Sequence, residues 1–546
     1  MKTDSLLRLL SLSLALVAAV NPSAGAEAKP IAPLFKNLGR HHWKVTTKYE
    51  LAQRYFDQGL TLLYNFNHAE AVRSFEAVAK LDPDCAMAHW GVAYAHGPNI
   101  NAPMFPEAVK PAWGGLQRAL VLKSKAGEME QALIDALTRR YAEKPPESRA
   151  SLDQAYADAM RDVAKRFPND NEVQTLFAEA VMDTAPWNYW TPEQQLKPAA
   201  KEAVEAIERV LARVKAHPGA DHLYIHLIEA GPNPEKGVPS AERLAKLAPA
   251  AGHLVHMPSH IFLRVGRYHD ASEWNDEAMD EDETYLRRSK PTGLYSGGYY
   301  PHNVHFYWYS TTMEGRSRDA IKAAKKLAEY TLDLRCGAVE GPRQRYTPLL
   351  AYSRFGRWSD VLNAPAPSEE YPFDRAMAHF ARGLAFAAQG KAANAGAEFQ
   401  KFSALKSSEK VKAMDNPYFP GTKILAVAHE VLAGKVAGAK GEAKDSLNHL
   451  RRAVELEDAM PYMEPPYWHC STRLTLGAAQ FKSGDVAGAE ETFRADVGKL
   501  PHNGWGLFGL EQSLRKAGKT AEADKVRKEF QRAWRYADVK LDLAWY

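Results

Sequence analysis

Apolar residues recur along most of the chain at helical spacing, three or four positions apart. The stretch YFDQGLTLLYNFNHAEAVRSFEAVAKLDP, residues 55–83, is a clear instance. Alternation of apolar and polar residues with a period of two, which would indicate half-buried strands, is rare, and β-branched runs are few. Segments with a weaker pattern, such as residues 201–214, are still rich in Ala, Leu, Glu and Lys. The pattern therefore predicts an all-α protein.

The same stretch carries four residues whose spacing predicts a pair of packed helices. Gly59 is followed twelve positions later by Ala71, then by Phe75 and Pro83. Two antiparallel helices cross closely only where small side chains permit it, and an aromatic ring fills the space beside them. Proline then ends the second helix. We expect a helix–turn–helix unit here.

These marks recur with a period near 34 residues. Gly266 opens a turn and a second helix, and other positions repeat two, three or four of the marks: Gly383, Ala395 and Phe399; Gly477, Ala489, Phe493 and Pro501; Gly509 and Ala521. Repetition of the whole pattern is more specific than any single match. It predicts helix pairs stacked into a solenoid.

The repeated marks resemble those of the tetratricopeptide-repeat (TPR) superfamily over about half of the mature chain. The resemblance implies an α-solenoid, wound as a right-handed superhelix with a concave face. Proteins of this superfamily usually bind other proteins, so a protein or peptide partner on the concave face is expected. We divide the chain into N-terminal repeats (27–200), a His-rich segment (201–320) and C-terminal repeats (321–546).

The first 26 residues have the character of a secretory signal peptide. Lys2 and Arg8 precede a short apolar run over residues 9–20, and the sequence AGA at 24–26 resembles a cleavage site. No later apolar stretch is long enough for a membrane helix. We expect a periplasmic or secreted protein that begins near Glu27.

Charge and cysteine content exclude a nucleic-acid-binding face and a fold held together by several disulfides. The net charge of +4 over 546 residues shows no concentrated basic face, so nucleic acid is not an expected partner. Three widely separated cysteines, Cys85, Cys336 and Cys470, form at most one disulfide. Cys85 and Cys470 are expected to be buried packing residues.

Histidine is concentrated in the middle of the chain, where three clusters predict a metal site. Nine of the 19 histidines lie between residues 217 and 305. The candidate metal ligands are His222 and His226; His253, His256 and His260; and His302 and His305.

The spacing of the first two clusters places two histidine pairs in repeat register. His222 and His226 share a helix face, as do His256 and His260, and the offset between the pairs is 34 residues, one repeat. Neighbouring helices lie about 8 to 10 Å apart, which imidazoles reaching toward one ion can close. Pro258 starts or kinks a helix, in which case the register is approximate. The alternative is that these histidines are structural.

Glu229, one turn after His226, is the candidate catalytic residue. It could be a metal ligand, a general base or the hydrogen-bond partner of a ligand, or it could merely end a helix. Imidazole ligands suit Zn, Cu, Fe or Ni and argue against Ca or Mg. Export favours Zn or Cu, with Fe as a further choice, and more than four ligands would allow two ions.

The segments from HPGADHLYIH through GHLVHMPSHIFLRVGRYHDA to YPHNVHF resemble exported bacterial TPR proteins with little assigned function. That resemblance supports fold and location but brings no reaction with it. The aromatic run from Tyr295 to Tyr309 could wall a ligand pocket or be a packed junction. HHW at 41–43 is expected at the surface or as a weak extra ligand, and the acidic run 276–283 as a solvated helix face.

Three functions remain open from the sequence. The first is a metal-dependent enzyme, hydrolytic if a metal-bound water attacks the substrate and oxidative if the ion is Cu or Fe. The second is a periplasmic scaffold that binds a peptide or protein and uses its histidines structurally. The third is a metal carrier or store without turnover.

Overall fold

The structure is a computed structural model that describes residues 32–291, 293–329, 344–416 and 419–546. The described residues are helical apart from loops and three isolated β-bridges, as the sequence predicts. The N-terminal helices are α1 (Glu50–Tyr64), α2 (His68–Leu81), α3 (Ala86–Ala95), α4 (Val109–Leu122), α5 (Glu128–Leu137), α6 (Ala150–Arg166), α7 (Asn171–Met182) and α8 (Pro198–Arg213).

The middle of the chain holds the helices that carry the His-rich segment. They are α9 (Pro218–Ile228), α10 (Val238–Leu247), α11 (Gly252–His256), α12 (Pro258–Arg264), α13 (Tyr268–Ser289), α14 (Tyr300–Met313) and α15 (Ser317–Glu329), with a π-helical turn at Tyr295–Tyr299.

The C-terminal helices pack as successive pairs. They are α16 (Thr347–Arg354), α17 (Trp358–Asn363), α18 (Pro372–Ala388), α19 (Ala392–Lys406), α20 (Glu409–Lys412), α21 (Gly421–Lys440), α22 (Ala443–Asp458), α23 (Thr472–Ser483), α24 (Val486–Lys499), α25 (Gly504–Lys516) and α26 (Thr520–Ala533). Within the described ranges, four short 3-10 helices complete the elements: Pro106–Ala108, Lys123–Lys125, Pro234–Gly237 and Leu543–Trp545.

Phe75 shows why the repeat marks have their spacing. Its ring lies between α1 and α3, against Gly59 and Gly91. A Cβ added at either glycine would come within 2.7 or 2.6 Å of the ring. The same arrangement recurs in α23 to α25, where Phe493 lies against Gly477 and Gly509. Two glycines sandwiching one aromatic ring are the packing that defines this TPR-like helical array.

The third predicted match packs differently. A Cβ at Gly383 would meet Leu432 of α21 rather than Phe399, and Phe399 is only half-buried. Phe402, one turn later, is fully buried instead. The helix pair α18 and α19 is as predicted, but the buried aromatic residue lies one turn later than predicted.

We predict that Gly59→Ala destabilises the protein by about 1 to 3 kcal/mol, because the added methyl group overpacks a site that Phe75 already fills. Gly114→Ala in α4 is the matched control. Nothing lies within 4 Å of its added Cβ, so the helix should gain about 0.5 to 1 kcal/mol. Thermal melts of both variants check this prediction. A Gly59→Ala protein as stable as the wild type would contradict the packing.

Pro258 restarts the helix without separating the two flanking histidines. It is the first residue of α12, and Met257 between α11 and α12 keeps right-handed helical angles. The carbonyl of His253 accepts a bond from the Met257 N–H at 3.0 Å. The chain therefore stays helical through the proline, and the one-turn relation of His256 and His260 survives. The predicted turn at Gly266 follows, with a φ of +74°.

The expectations about the cysteines, membrane helices and the acidic run have different outcomes. Cys85 is buried as expected, Cys470 is only half-buried, and neither is in a disulfide. None of the described helices has the length and apolar character that a membrane crossing needs. The predicted solvated face at 276–283 is only partly correct, because Asp282 is 1% exposed. The predicted signal peptide and Cys336 lie outside the described residues.

Candidate metal centre

Six histidines converge where α9, α11, α12 and α14 meet. They form two groups, in each of which three ligand nitrogens lie within 4.8 Å of one another. We call His222, His226 and His253 triad A, and His256, His260 and His302 triad B. Except for His302, these histidines are at most 2% exposed. Both groups combine one histidine pair spaced by four with one histidine from another part of the chain.

The two triads adjoin. The ring centroids of His226 and His260 are 5.7 Å apart, and those of His253 and His256 are also 5.7 Å apart. The sequence predicted that the two pairs would face each other around one ion. They are indeed neighbours, but each pair belongs to its own triad, so six nitrogens meet in two sets of three.

Glu229 links the two triads. One of its oxygens lies 2.7 Å from Nδ1 of His226 and the other lies 2.7 Å from Nδ1 of His260. The carboxylate is fully buried, and the two imidazoles hold its pKa well below the usual range although burial opposes this. Of the roles open to Glu229 from the sequence, these contacts fit the partner that orients metal ligands.

Two further imidazoles are oriented in the same way. Nδ1 of His222 lies 2.7 Å from the carbonyl oxygen of Tyr64, and Nδ1 of His256 lies 2.7 Å from Oδ1 of Asn275. The Asn275 amide donates to the carbonyl of Ala271 at 2.6 Å, which identifies its other atom as the acceptor. Four imidazoles therefore donate through Nδ1 and keep the lone pair of Nε2 for another partner.

Several of the remaining nitrogens have no partner within the protein. Nε2 of His222, Nε2 of His226 and both ring nitrogens of His253 are buried without a hydrogen bond. A buried polar atom left unsatisfied costs about 1 to 3 kcal/mol. A metal ion bound to these nitrogens would remove that cost.

The contact between His256 and His260 points the same way. Their Nε2 atoms are 2.9 Å apart, while both Nδ1 atoms are on acceptors. Two lone pairs at that distance repel unless a cation lies between them. Metal–nitrogen bonds of about 2 Å separate two ligand atoms by about 2.8 Å at a right angle and about 3.3 Å at a tetrahedral angle, so the observed separation lies in the range for two nitrogens on one ion.

Burial also keeps these ligands in the form that binds metals. It is the largest cause that lowers the pKa of His222, His253, His256 and His302 well below 6.5, and neighbouring imidazoles add to it. Neutral imidazole is the ligating form. These four imidazoles are therefore in the metal-binding form at neutral pH.

Aromatic rings surround the imidazoles. The distances between ring centroids are 4.6 Å for Phe66 and His222, 4.6 Å for Tyr299 and His253, and 4.5 Å for Phe306 and His256. Trp187 contacts His226 at 5.0 Å. Phe66 and Trp187 have φ angles of +54° and +61°. Such backbone conformations are costly in bulky residues and persist mainly at functional sites. Neither residue was predicted from the sequence to belong to the site.

His305 is not in either triad. Its ring stacks on Trp308 at 5.5 Å, and it borders a cavity that His302 of triad B also borders. Burial lowers its pKa to about 4. Of the seven predicted ligands, six converge and His305 faces the neighbouring cavity.

A third polar group is better explained by ion pairing. His41 and His217 place Nε2 at 2.6 and 3.0 Å from one oxygen of Glu172. Nδ1 of His217 accepts the backbone N–H of Ala220, so its proton is on Nε2, the atom a metal would need. His41, predicted at the surface or as a weak ligand, is thus part of an ion-pair network.

A buried network supports the triads from the side of α13. Asp282 accepts from the Tyr295 hydroxyl and from the Asn303 amide, both at 2.8 Å. The Tyr295 hydroxyl in turn accepts from the backbone N–H of His253 at 3.3 Å. Burial raises the pKa of Asp282 to about 7. This carboxyl group thereby couples the protein's stability to pH.

We predict that Asp282 makes the metal-free protein less stable as pH rises from about 4 to about 7. The folded state holds this proton more tightly than the unfolded state, so the stabilisation is complete at low pH and is lost on passing the folded pKa. The loss is at most about 4 kcal/mol. Denaturant unfolding should show it as a wild-type minus Asp282→Asn difference. Asp280→Asn, on the exposed face of α13, should give a flat difference.

Comparison with known proteins adds little to this geometry. No protein-family profile and no curated protein sequence matches the chain. Solved structures that are similar include the human IFIT1 dimer with m7Gppp-AAAA (12% identity, 89% of this chain and 91% of that chain, TM-score 0.31). Two others are the APC/C hetero-tetramer Cut9–Hcn1 (13%, 88% and 73%, 0.30) and yeast Tom70 (12%, 88% and 92%, 0.30). Likeness at these TM-scores carries no argument about the site.

Proposed function

From a TPR-like array of helix pairs that encloses six converging imidazoles, we propose that this chain is an exported two-copper protein that oxidises a small molecule. Triad A would hold one ion and triad B the other. The observation that carries this proposal is the common orientation of the imidazoles. Four of them donate through Nδ1, which leaves Nε2 for a metal, as in established metal sites.

Copper fits this ligand set better than zinc or iron does. The candidate ligands are neutral imidazoles, and the one central carboxylate, Glu229, bonds to imidazole nitrogens with both of its oxygens. Paired iron ions in helical proteins are held chiefly by carboxylates. Among divalent ions that accept imidazole, copper binds most tightly.

The same site supports a hydrolytic function less well than an oxidative one. A hydrolytic zinc centre needs a base close to the metal-bound water. Glu229 already accepts from two imidazoles, and Tyr462 donates to it at 3.1 Å. Its oxygens are therefore engaged in orientation rather than available for proton abstraction.

Carriage and scaffolding explain fewer of the observations. A carrier must pass its metal to a partner, yet five of the six imidazoles are almost completely buried. A peptide scaffold agrees with the repeat fold, but it leaves the unpartnered nitrogens and the contact between His256 and His260 without a purpose. A cavity that reaches His302 suits a small substrate.

Two bound copper ions would together supply two one-electron oxidising equivalents. Each substrate molecule would lose one electron and one proton. One dioxygen would accept the electrons and protons from four substrate molecules and form two waters. The chain's own part is to hold the imidazoles, exclude bulk water with Phe66, Tyr299 and Phe306, and admit substrate beside His302.

Oxygen consumption tests this function. Copper-loaded protein should consume dioxygen in the presence of a phenol or another small reductant, and zinc-loaded protein should not. Ester hydrolysis by the zinc-loaded form without copper-dependent oxygen uptake would favour the hydrolytic alternative and contradict the proposal.

Export is part of the proposal because copper is handled mainly outside the cytoplasm. Its support is the charged start, apolar run and small-residue site in residues 1–26. We predict that N-terminal sequencing of the mature protein begins near Glu27. Recovery of an intact Met1 from the mature protein would contradict the predicted location.

A further inference from the structure

A cavity of about 170 Å³ lies between the His-rich segment and the C-terminal helices. His302 of triad B, His305 and Trp308 line it from α14. Residues 463–469, in the loop between α22 and α23, line the opposite side. The cavity therefore reaches one of the proposed metal ligands from the direction of the C-terminal repeats.

The size of the cavity fits one aromatic ring. An apolar protein cavity of about 150 Å³ binds benzene, whereas drug-sized ligands occupy about 300 Å³ or more. A single ring with a small substituent therefore matches the space. A peptide or a fused-ring compound does not.

The walls suit a ring as well. Trp308, Tyr346, Phe419, Tyr467 and Trp468 border the cavity, together with two methionines, Met377 and Met463. Aromatic walls bind a flat ring through stacked and edge-to-face contacts. Methionine sulfur adds favourable contacts with ring edges. The lining thus favours an aromatic ring over an aliphatic one.

One polar side chain on the wall defines the substituent. Glu464 is buried and places a carboxyl group on the cavity, where the Tyr462 hydroxyl is 3.1 Å from its Oε1. A carboxyl oxygen accepts a hydrogen bond, so the ligand needs a donor. A hydroxyl group on the ring supplies that donor.

We propose that this cavity binds a monocyclic phenol, with its hydroxyl directed to Glu464 and its ring beside His302 and Trp308. This inference rests on the proposed function, because it identifies the cavity's ligand as the substrate of the copper centre. It assigns to Glu464 the selection of a phenolic substrate.

Binding to metal-free protein tests the assignment without any need for catalysis. Calorimetric titrations would compare phenol, anisole, which lacks the hydroxyl donor, and cyclohexanol, which lacks the aromatic ring. Phenol should bind at least about fivefold more tightly than anisole, since one net hydrogen bond corresponds to about that factor. It should also bind more tightly than cyclohexanol, because a saturated ring lacks the stacked and edge-to-face contacts. Equal affinity for the three compounds, or no phenol binding, would overturn the inference.

Two variants locate the ligand. Ile424→Phe adds bulk to the cavity wall and should reduce phenol affinity at least about tenfold. Glu464→Leu removes the acceptor and should reduce the phenol preference over anisole about fivefold. Glu369→Leu, at an exposed glutamate outside the cavity lining, is the matched control and should leave affinity unchanged. Unaltered phenol binding in both cavity variants would contradict the assigned site.

Copper content separates the two proposals. Ile424→Phe should bind as much copper as the wild type while losing phenol affinity. A protein that binds copper but no phenol would overturn only the substrate assignment. A protein that binds phenol in this cavity but no copper would overturn the proposed function and leave a phenol-binding pocket without its chemistry.

Discussion

Replacing His226 with alanine should lower the bound copper from two ions per chain to one, and replacing His260 should remove the other ion instead. Each substitution leaves a triad with two imidazoles. Loss of a hydrogen-bond partner behind a ligand already weakens metal binding about 10- to 100-fold. Loss of the ligand itself should exceed that, so the altered triad should be empty after dialysis against a weak chelator.

His305→Ala is the matched control, since His305 stacks on Trp308 outside both triads. Copper quantification on the three purified variants, with circular dichroism to establish that each is folded, provides the measurement. Two ions retained by folded His226→Ala protein would show that triad A is not a copper site. Copper loss in His305→Ala equal to that in His260→Ala would contradict the assignment of ligands.

Glu229→Gln should weaken both ions together, by about 10- to 100-fold each. The carboxylate accepts from one imidazole of each triad. Glutamine offers a single acceptor oxygen, and its amide N–H₂ faces the other Nδ1–H as a second donor. One imidazole must then rotate or shift its proton to Nε2, where it blocks the metal. Copper affinities from competition with a chelator would measure this effect.

Glu235→Gln, at an exposed position six residues further along the chain, is the control and should leave both affinities unchanged. An effect of Glu229→Gln confined to one ion would contradict the bridging role. Unchanged copper affinity accompanied by loss of activity would instead favour Glu229 as a catalytic base.

Sequence reasoning predicted the helix pairs well because one local rule governs them. Gly59, Phe75 and Pro83 are spaced by the geometry of two packed helices, and the same marks recur one repeat later. The rule is less reliable where neighbouring side chains change. At Gly383 the space is filled by Leu432, which belongs to a different helix and cannot be identified from the spacing.

The histidines were identifiable from the sequence, but their grouping was not. Their concentration and the spacing of four predicted a shared site. Which imidazole completes each triad depends on how α11 and α14 are rotated against α9, and this is a property of tertiary packing. The 34-residue register predicted the neighbouring pairs and missed the roles of His253 and His302.

Contacts between residues distant in sequence could not be predicted for a different reason. Phe66 and Trp187 contact the imidazoles from loops that carry no recognisable motif, and their positive φ angles become visible only in the structure. Glu464 and Trp468 face His302 across the cavity although more than 160 positions separate them in the chain. No periodicity in the sequence connects such segments.

Anomalous X-ray scattering at the copper edge from crystals of protein isolated from its native compartment tests the central claim most directly. The account predicts two copper peaks, one within bonding distance of His222, His226 and His253 and the other within bonding distance of His256, His260 and His302. Crystals with no metal peak among these six imidazoles would contradict it.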